Sequence, residues 1–334
     1  LYLRFLTSLR PLFLMKKTLL KRTLLVSALT VMLLGAGLTA ASWYLLDYAL
    51  RPGNRGFDTE RAWHEMDSVY PGLRAWHDSL SRAGAWHDTT LTALDGTSLH
   101  AFYSPAPHPT RRTALLVHGY TDCGVRMTHL ARMYREELAM NILVPDLRHA
   151  GASGGDHIGM GWEDVDDLLL WSYMLPDIFG DSVSVVVHGV SMGAAATMML
   201  SASPDQPSYI QMYVEDCGFT GVYEQFRKEL REQFSLPAFP LLPCASELCR
   251  LRFGWKFEEA SPLKLIRKSR GPMLFIHGTA DTYVPFSMGE ELFEAHPGPK
   301  ARWWVDDATH ARSYQKDPKG YARIVGNFLR NERL

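Results

Sequence analysis

Neither sign of charge is in excess in this sequence. The 35 lysine and arginine residues oppose 36 aspartate and glutamate residues, which gives a formal net charge of −1. Beyond its basic N-terminal end the chain is close to neutral, without the basic signature that is typical of nucleic-acid-binding domains. We therefore expect no nucleic-acid partner.

Cysteine is scarce, with four residues and no C-x-x-C motif, so a structural metal site is not expected. Three Trp-His pairs occur at an irregular spacing unlike that of zinc sites, and we interpret residues 47–85 as a helical lead-in that packs against a following domain. Cys244 and Cys249 are the expected disulfide pair, because a location outside the cytoplasm permits disulfides. Cys123 and Cys217 follow predicted strands and are candidates for free thiols.

One long apolar run occurs near the N-terminus. Residues 23–46 are uncharged and mostly apolar. The segment exceeds the ~20 residues that cross a bilayer and the roughly 7–15 apolar residues of a secretory signal. The preceding basic residues are Lys16, Lys17, Lys21 and Arg22. We expect translation to start at Met15, so that residues 1–14 are an upstream extension of the basic region 1–22. The pattern predicts a single-pass anchor with the remaining chain outside the cytoplasm; cleavage near residues 39–41, giving a secreted domain, is the alternative.

The segment Gly189-Val190-Ser191-Met192-Gly193 matches the pattern G-x-S-x-G. A β-branched apolar run precedes it and an Ala- and Met-rich run follows, so the pattern lies between a predicted strand and a predicted helix. In that context the serine occupies a sharp turn that exposes its hydroxyl as a nucleophile. The two glycines permit the tight turn and the close approach of neighbouring backbone. Five residues alone are weak evidence for a nucleophile, so the assignment of Ser191 depends on the downstream sequence.

A serine hydroxyl needs an adjacent base, and that base needs a carboxylate to orient it. After a turn of this kind the acid and the histidine follow the serine in that order. Asp281 lies in a loop beyond the predicted strand 272–277, and His310 lies in a loop beyond the predicted strand 301–305. We predict that Ser191, Asp281 and His310 meet at one edge of a parallel sheet and form a catalytic triad.

Other carboxylates remain open as the acid of the triad. Asp216 is the chief alternative, because it also follows a predicted strand, at residues 209–215. Asp306 and Asp307, just before His310, are further alternatives.

Acyl transfer places negative charge on the carbonyl oxygen, which preorganised N–H groups stabilise. The loop that begins with His118 and Gly119 follows the predicted strand 114–117. We predict that the backbone N–H groups of Tyr120 and Met192 form this oxyanion hole. His118 is assigned a supporting role, bonded to neighbouring backbone, and no catalytic one.

Together, six motifs resemble the α/β-hydrolase superfamily. They are HGYTD at 118–122, PDLRHAGASGG at 145–155, GVSMG at 189–193, EDCGF at 215–219, HGTADTYVP at 277–285 and DATH at 307–310. The chain is most similar to bacterial members that join an N-terminal membrane segment to an esterase- or peptidase-like domain. One departure is His149-Ala150-Gly151, where Gly-His-Gly is common, in a loop that carries no catalytic group. The resemblance implies hydrolysis of carboxylic esters, thioesters or peptide bonds without a metal or organic cofactor.

The alternation of strands and helices agrees with an α/β-hydrolase fold, with a mostly parallel sheet of about eight strands and helices on both faces. This catalytic domain is assigned to residues 86–334 and opens with a hairpin around an Asp-Gly turn. Residues 218–261 interrupt the alternation and are predicted to form a small helical cap after the sixth strand. Its aromatic residues either wall an apolar acyl or aryl pocket or fix the cap to the sheet. They are Phe226, Phe234, Phe239, Trp255 and Phe257.

These features predict a membrane-tethered serine hydrolase that cleaves small-molecule carboxylic esters, with acyl or aryl groups, through an acyl-enzyme intermediate. A serine peptidase or an acyltransferase with the same triad is the alternative among enzymes. A catalytically silent, membrane-tethered binding module is the alternative outside them.

Overall fold

A single sheet of eight strands organises the chain. The computed structural model describes residues 2–52, 59–332 and 334, with side chains from residue 19 onward. The strands are β1 (His87–Thr92), β2 (Ser98–Ser104), β3 (Arg112–Val117), β4 (Asn141–Asp146), β5 (Ser184–Val190), β6 (Ile210–Asp216), β7 (Met273–Gly278) and β8 (Lys300–Val305). Their order across the sheet is β1-β2-β4-β3-β5-β6-β7-β8. β2 pairs antiparallel with β1 and β4, and every later pair is parallel. The predicted α/β-hydrolase architecture is confirmed.

The helices follow the strands in the expected alternation. They are α1 (Tyr2–Leu50), α2 (Thr59–Val69), α3 (Leu73–Arg82), α4 (Thr128–Arg132), α5 (Asp164–Phe179), α6 (Met192–Leu200), α7 (Val222–Phe234), α8 (Leu241–Phe253), α9 (Pro262–Leu265), α10 (Phe286–Ala295), α11 (Ser313–Lys316) and α12 (Pro318–Asn331). A 3-10 turn (Gly124–Met127) precedes α4 and a π turn (Met133–Glu137) follows it, so the helical segment at this place is irregular. The expected insertion after the sixth strand consists of α7 and α8.

Successive side chains of a strand point to opposite faces of the sheet, and both faces here are apolar. On β3, Leu115 and Val117 join the core beneath α5, α6 and α10. Their neighbours Ala114 and Leu116 join the opposite core, beneath α4 and α12. This burial on both faces explains why the strands appear in the sequence as continuous apolar runs.

The N-terminal apolar run is part of one continuous helix. Within α1 the stretch Leu19–Leu50 has a window of mean hydropathy 2.1 and is long enough to cross a membrane. Residues 19–41 are exposed apart from the half-buried Leu38, whereas Ser42, Leu46 and Leu50 are buried against the domain. The side chains of Lys16 and Lys17 lie outside the described part of the chain.

The lead-in contains two short helices, α2 and α3, and its residues 53–58 lie outside the described part of the chain. Its tryptophans pack in aromatic contacts. Trp63 lies on the His77 ring with centroids 4.4 Å apart, and Trp76 meets Trp86 edge to face at 5.7 Å. Burial of these large aromatic rings therefore explains the Trp-His pairs as packing residues.

The expected disulfide between Cys244 and Cys249 is wrong. Both residues are free thiols, as are Cys123 and Cys217. Cys244 and Cys249 lie on the same helix, α8, where a separation of five residues rotates the side chains by about 140° relative to each other. A disulfide needs the two Cβ atoms about 3.5–4.5 Å apart, which this rotation prevents.

Candidate active site

Ser191 occupies a strained turn between β5 and α6. Its φ of 57° and ψ of −116° lie in a region that non-glycine residues rarely adopt, at a cost of about 1–3 kcal/mol. A Cβ on Gly189 would lie 2.0 Å from the Gly193 carbonyl oxygen, and a Cβ on Gly193 would lie 2.1 Å from that of Val117. Both glycines are therefore required by close backbone packing, which fixes the serine at the carboxyl edge of the sheet.

The structure brings Ser191, His310 and Asp281 into one hydrogen-bonded chain. His310 Nε2 lies 2.8 Å from Ser191 Oγ, and His310 Nδ1 lies 2.7 Å from Asp281 Oδ2. Asp281 follows β7 and His310 follows β8, so loops after three parallel strands supply the three side chains. The arrangement permits His310 to accept the serine proton while the carboxylate holds the other ring nitrogen.

The surroundings of Asp281 favour the ionised form of its carboxyl group. Its Oδ1 accepts hydrogen bonds from the backbone N–H groups of Tyr283 and Val284 at 3.0 and 2.9 Å. Its side chain has no exposed surface. Burial opposes ionisation, but hydrogen bonds from His277 and His310 outweigh it and lower the pKa of Asp281 to about 2.

Asp216, the alternative acid, is engaged elsewhere. Its Oδ2 accepts a hydrogen bond of 2.9 Å from the Tyr321 hydroxyl, and its Oδ1 accepts one of 3.3 Å from Ser313. The Tyr321 oxygen lies 2.9 Å from Nε2 of the buried His188. Burial raises the pKa of Asp216 to about 6. The Asp216 carbonyl also accepts the Ser191 N–H at 2.8 Å, so this residue supports the backbone of the turn. Sequence reasoning missed this network, because its members are far apart along the chain.

The loop proposed to complete the oxyanion hole lies directly against the serine. A Cβ on Gly119 would be 3.4 Å from Ser191 Cβ. His118 Nε2 accepts the Leu147 N–H at 2.9 Å, so Nδ1 carries the proton and donates to the Gly119 carbonyl at 2.8 Å. Burial lowers the pKa of His118, which favours this neutral form. Met192 begins α6, where the first N–H groups of a helix lack intrahelical partners.

An apolar cavity opens on Ser191. Its empty volume is about 850 Å³, part of it open to solvent. Of the cap aromatics, Phe226, Phe234 and Phe257 line it. Trp255 is buried behind Phe257 without lining the cavity, and Phe239 is 79% exposed. The cap aromatics therefore divide between wall, packing and surface.

A second cleft, more polar than the apolar cavity and called the polar cleft below, lies on the other side of Ser191, beside His310. Its lining includes Glu65, Asp122, Arg126 and Arg312. Arg126 pairs with Glu65 and with Asp122, so the cleft contains charges of both signs. The apolar cavity contacts Ser191 and the polar cleft contacts His310.

Within the described residues, one group of three side chains has metal-ligand geometry. Ligand atoms of Cys217, Asp281 and His310 lie within 4.8 Å of one another. Asp281 and His310 already bond to each other, and burial raises the pKa of the Cys217 thiol well above its usual value. A thiol that keeps its proton is a poor metal ligand.

A likeness in fold joins this chain to known hydrolases. The esterase Pf2001 of Pyrococcus furiosus has a TM-score of 0.62 and 22% identity, covering 75% of this chain and 93% of the esterase. The α/β hydrolase GrgF from Penicillium has a TM-score of 0.58 and 16% identity, covering 74% of this chain and 98% of that structure. The chain therefore has the α/β-hydrolase fold.

A closer relative by sequence is the uncharacterised protein YqkD of Bacillus subtilis. The two are 36% identical over 229 residues, which are 69% of this chain and 74% of YqkD. No protein-family model matches the chain. This chain belongs to the same family as YqkD.

Proposed function

We propose that the protein is a serine hydrolase that cleaves carboxylic esters, with Ser191, His310 and Asp281 as its catalytic triad. The observation that carries the proposal is the hydrogen-bonded chain of these three side chains at the mouth of an apolar cavity. The strained turn at Ser191 supports it, because backbone strain concentrates at functional sites.

In the proposed reaction, His310 Nε2 accepts the Ser191 hydroxyl proton as Oγ attacks the ester carbonyl carbon. The N–H groups of Tyr120 and Met192 stabilise the oxyanion, a contribution for which one donor is typically worth about 10²–10³ in turnover. The C–O bond then breaks, and His310 gives its proton to the departing alcohol. Water, deprotonated by His310, releases the acid and restores the serine.

A fluorophosphonate probe tests the nucleophile. The probe should label the wild-type protein and leave Ser191→Ala unlabelled, with p-nitrophenyl butyrate turnover lost in that variant alone. Ser79→Ala is the matched control, because Ser79 is exposed on α3 and lines neither the apolar cavity nor the polar cleft. A folded wild-type protein that neither reacts with the probe nor turns over an ester would indicate a silent binding module. Faster turnover of aminoacyl or peptidyl substrates than of esters would indicate a peptidase, and acyl transfer to an added alcohol in preference to water an acyltransferase.

We also propose that α1 is a retained membrane anchor with the catalytic domain outside the cytoplasm. The helix is continuous through the candidate cleavage region 39–41, and its following turn is held by a hydrogen bond of 3.1 Å from Ser42 Oγ to the Leu241 carbonyl. The full-length protein should remain with membranes, and protease added to intact spheroplasts should digest the domain. Full-length protein in the soluble cytosolic fraction would contradict the proposal, and a soluble fragment beginning near Ser42 would indicate a cleaved signal.

A further inference from the structure

The C-terminal end of α1 forms part of the active-site cavity. Leu45, Leu46, Tyr48 and Ala49 line the same apolar space that exposes Ser191. The Ala49 carbonyl also accepts a hydrogen bond of 2.7 Å from the hydroxyl of Tyr120, whose backbone belongs to the proposed oxyanion hole. The helix that would cross the membrane is thus a structural part of the proposed site.

This wall is firmly attached to the cap. Asp47 Oδ1 accepts a hydrogen bond of 2.6 Å from Arg252 of α8, and the Tyr48 hydroxyl donates one of 3.2 Å to Gln233 Oε1 of α7. The Tyr48 ring also meets Phe234 edge to face, with centroids 5.3 Å apart. The cavity therefore lies between α1 on one side and the two cap helices on the other.

With α1 as the proposed membrane anchor, the position of its apolar run places this cavity at the membrane surface. From Thr23, which follows the basic residues Lys21 and Arg22, about 20 residues at about 1.5 Å each cross the ~30 Å hydrocarbon thickness of a bilayer and reach the buried Ser42. Leu45 lies three residues further along the helix, about 4.5 Å beyond Ser42. In the cap, Leu236 and Phe239 have exposed side chains. They shortly precede Leu241, whose carbonyl oxygen accepts the hydrogen bond from Ser42 Oγ. Apolar side chains exposed there suit the lipid interface.

The two sides of the triad differ in polarity in the way that an amphipathic ester requires. The leaving alcohol receives its proton from His310 and must depart on the side of that residue, where the cleft contains Arg126 and Arg312. The acyl group stays on Ser191, which faces the apolar cavity.

We propose that the substrate is a long-chain acyl ester taken directly from the bilayer, with its acyl chain between α1 and the cap and its polar alcohol in the cleft beside His310. The proposal rests on the proposed serine-hydrolase function and specifies its substrate class. Ser191 Oγ forms the new ester bond as the alcohol leaves with one proton, and water then releases a fatty acid into the leaflet from which the chain came.

Narrowing the α1 wall tests the acyl-chain assignment. In the full-length protein, Leu45→Trp should lower the ratio of p-nitrophenyl laurate to p-nitrophenyl butyrate turnover by at least about tenfold, because loss of even one methylene subsite is worth about that factor. Leu94→Trp is the matched control, since Leu94 is 88% exposed in the β1–β2 turn. An unchanged ratio in Leu45→Trp overturns the proposal. Should that variant fail to fold, Ala49→Leu makes a smaller change in the same wall. The same ratio of laurate to butyrate turnover then tests the proposal in that variant.

The source of the substrate is tested by reconstitution into phosphatidylcholine vesicles. Umbelliferyl oleate placed in the same vesicles as the protein should be cleaved at least about tenfold faster than the same ester in separate vesicles, with Ser191→Ala as the blank. Equal rates would overturn delivery from the bilayer. Butyrate turnover in the same preparation keeps the two proposals apart, because its absence contradicts the hydrolase function, whereas its presence with equal oleate rates contradicts only the bilayer substrate.

Discussion

Replacing Asp281 by asparagine tests the proposed triad at its most buried member. The backbone N–H groups of Tyr283 and Val284 hold Oδ1 at 3.0 and 2.9 Å, and these donors should retain the side-chain oxygen of the asparagine. The new NH2 group then replaces Oδ2, which lies 2.7 Å from His310 Nδ1. An NH2 group donates and cannot accept, so His310 must present an unprotonated Nδ1.

That change of tautomer removes the general base. The ring proton moves to His310 Nε2, 2.8 Å from Ser191 Oγ, and this nitrogen can no longer accept the serine proton. The imidazolium that forms during the reaction also loses its buried negative partner. Loss of a triad carboxylate lowers turnover by about 10⁴ in a well-studied triad, equivalent to about 5.5 kcal/mol. We expect kcat/KM for p-nitrophenyl butyrate to fall by about 10³–10⁴ in Asp281→Asn.

Asp216→Asn is the matched control for that variant. Asp216 accepts hydrogen bonds from the Tyr321 and Ser313 hydroxyls and has none to His310. The asparagine should weaken these two hydrogen bonds. We therefore expect turnover to change by less than about tenfold, the factor that corresponds to one neutral hydrogen bond. Circular dichroism and melting temperature of both variants verify the fold. If Asp216→Asn lost activity and Asp281→Asn kept it, the acid would be misassigned and the tautomer argument refuted.

Three further predictions concern packing, ionisation and the cap. Gly193→Ala should strongly lower the melting temperature, because the added Cβ would lie 2.1 Å from the Val117 carbonyl oxygen; an unchanged value contradicts this close approach. Burial raises the pKa of Glu215 from 4.5 to about 8, so the folded protein holds a proton that the unfolded chain releases. Its free energy of unfolding should therefore fall as pH rises through that interval, and less steeply in Glu215→Gln; equal slopes in urea titrations would argue against the raised pKa. Phe234→Ala should shift the preferred acyl length, whereas Trp255→Ala should lower stability with relative rates unchanged; identical length profiles would remove Phe234 from the pocket wall.

Much of the fold was predictable because it rests on local patterns. Parallel strands buried on both faces produce apolar runs, and the structure has strands at each run assigned before Ser191, Asp281 and His310. The Ser-acid-His order follows from chain direction, since loops after parallel strands meet at one edge of the sheet. The proposed triad therefore needed no long-range information beyond the order of the strands.

The expectation that failed and the contacts that were not predicted both depend on how residues are arranged in three dimensions. The disulfide expectation rested on the predicted location outside the cytoplasm and on the shared place of Cys244 and Cys249 in the cap, and it did not include their rotation around α8. The hydrogen bonds that occupy Asp216 come from Tyr321 and Ser313, about a hundred residues away, and no local pattern announces such a partner.

The extension of α1 into the site was hidden for a more general reason. Leu33 and Leu46 belong to the same apolar run, yet Leu33 is 73% exposed and Leu46 is 1% exposed. Lipid tails and a protein core are both apolar, so a leucine suits either environment and sequence composition cannot separate them. What separates them in the structure is burial against the domain, which begins at Ser42, about 20 residues beyond the basic Arg22. Anchoring alone does not require a helix to line the space beside Ser191, as α1 does. Removing α1 should therefore alter the proposed site as well as the proposed attachment of the domain to the membrane.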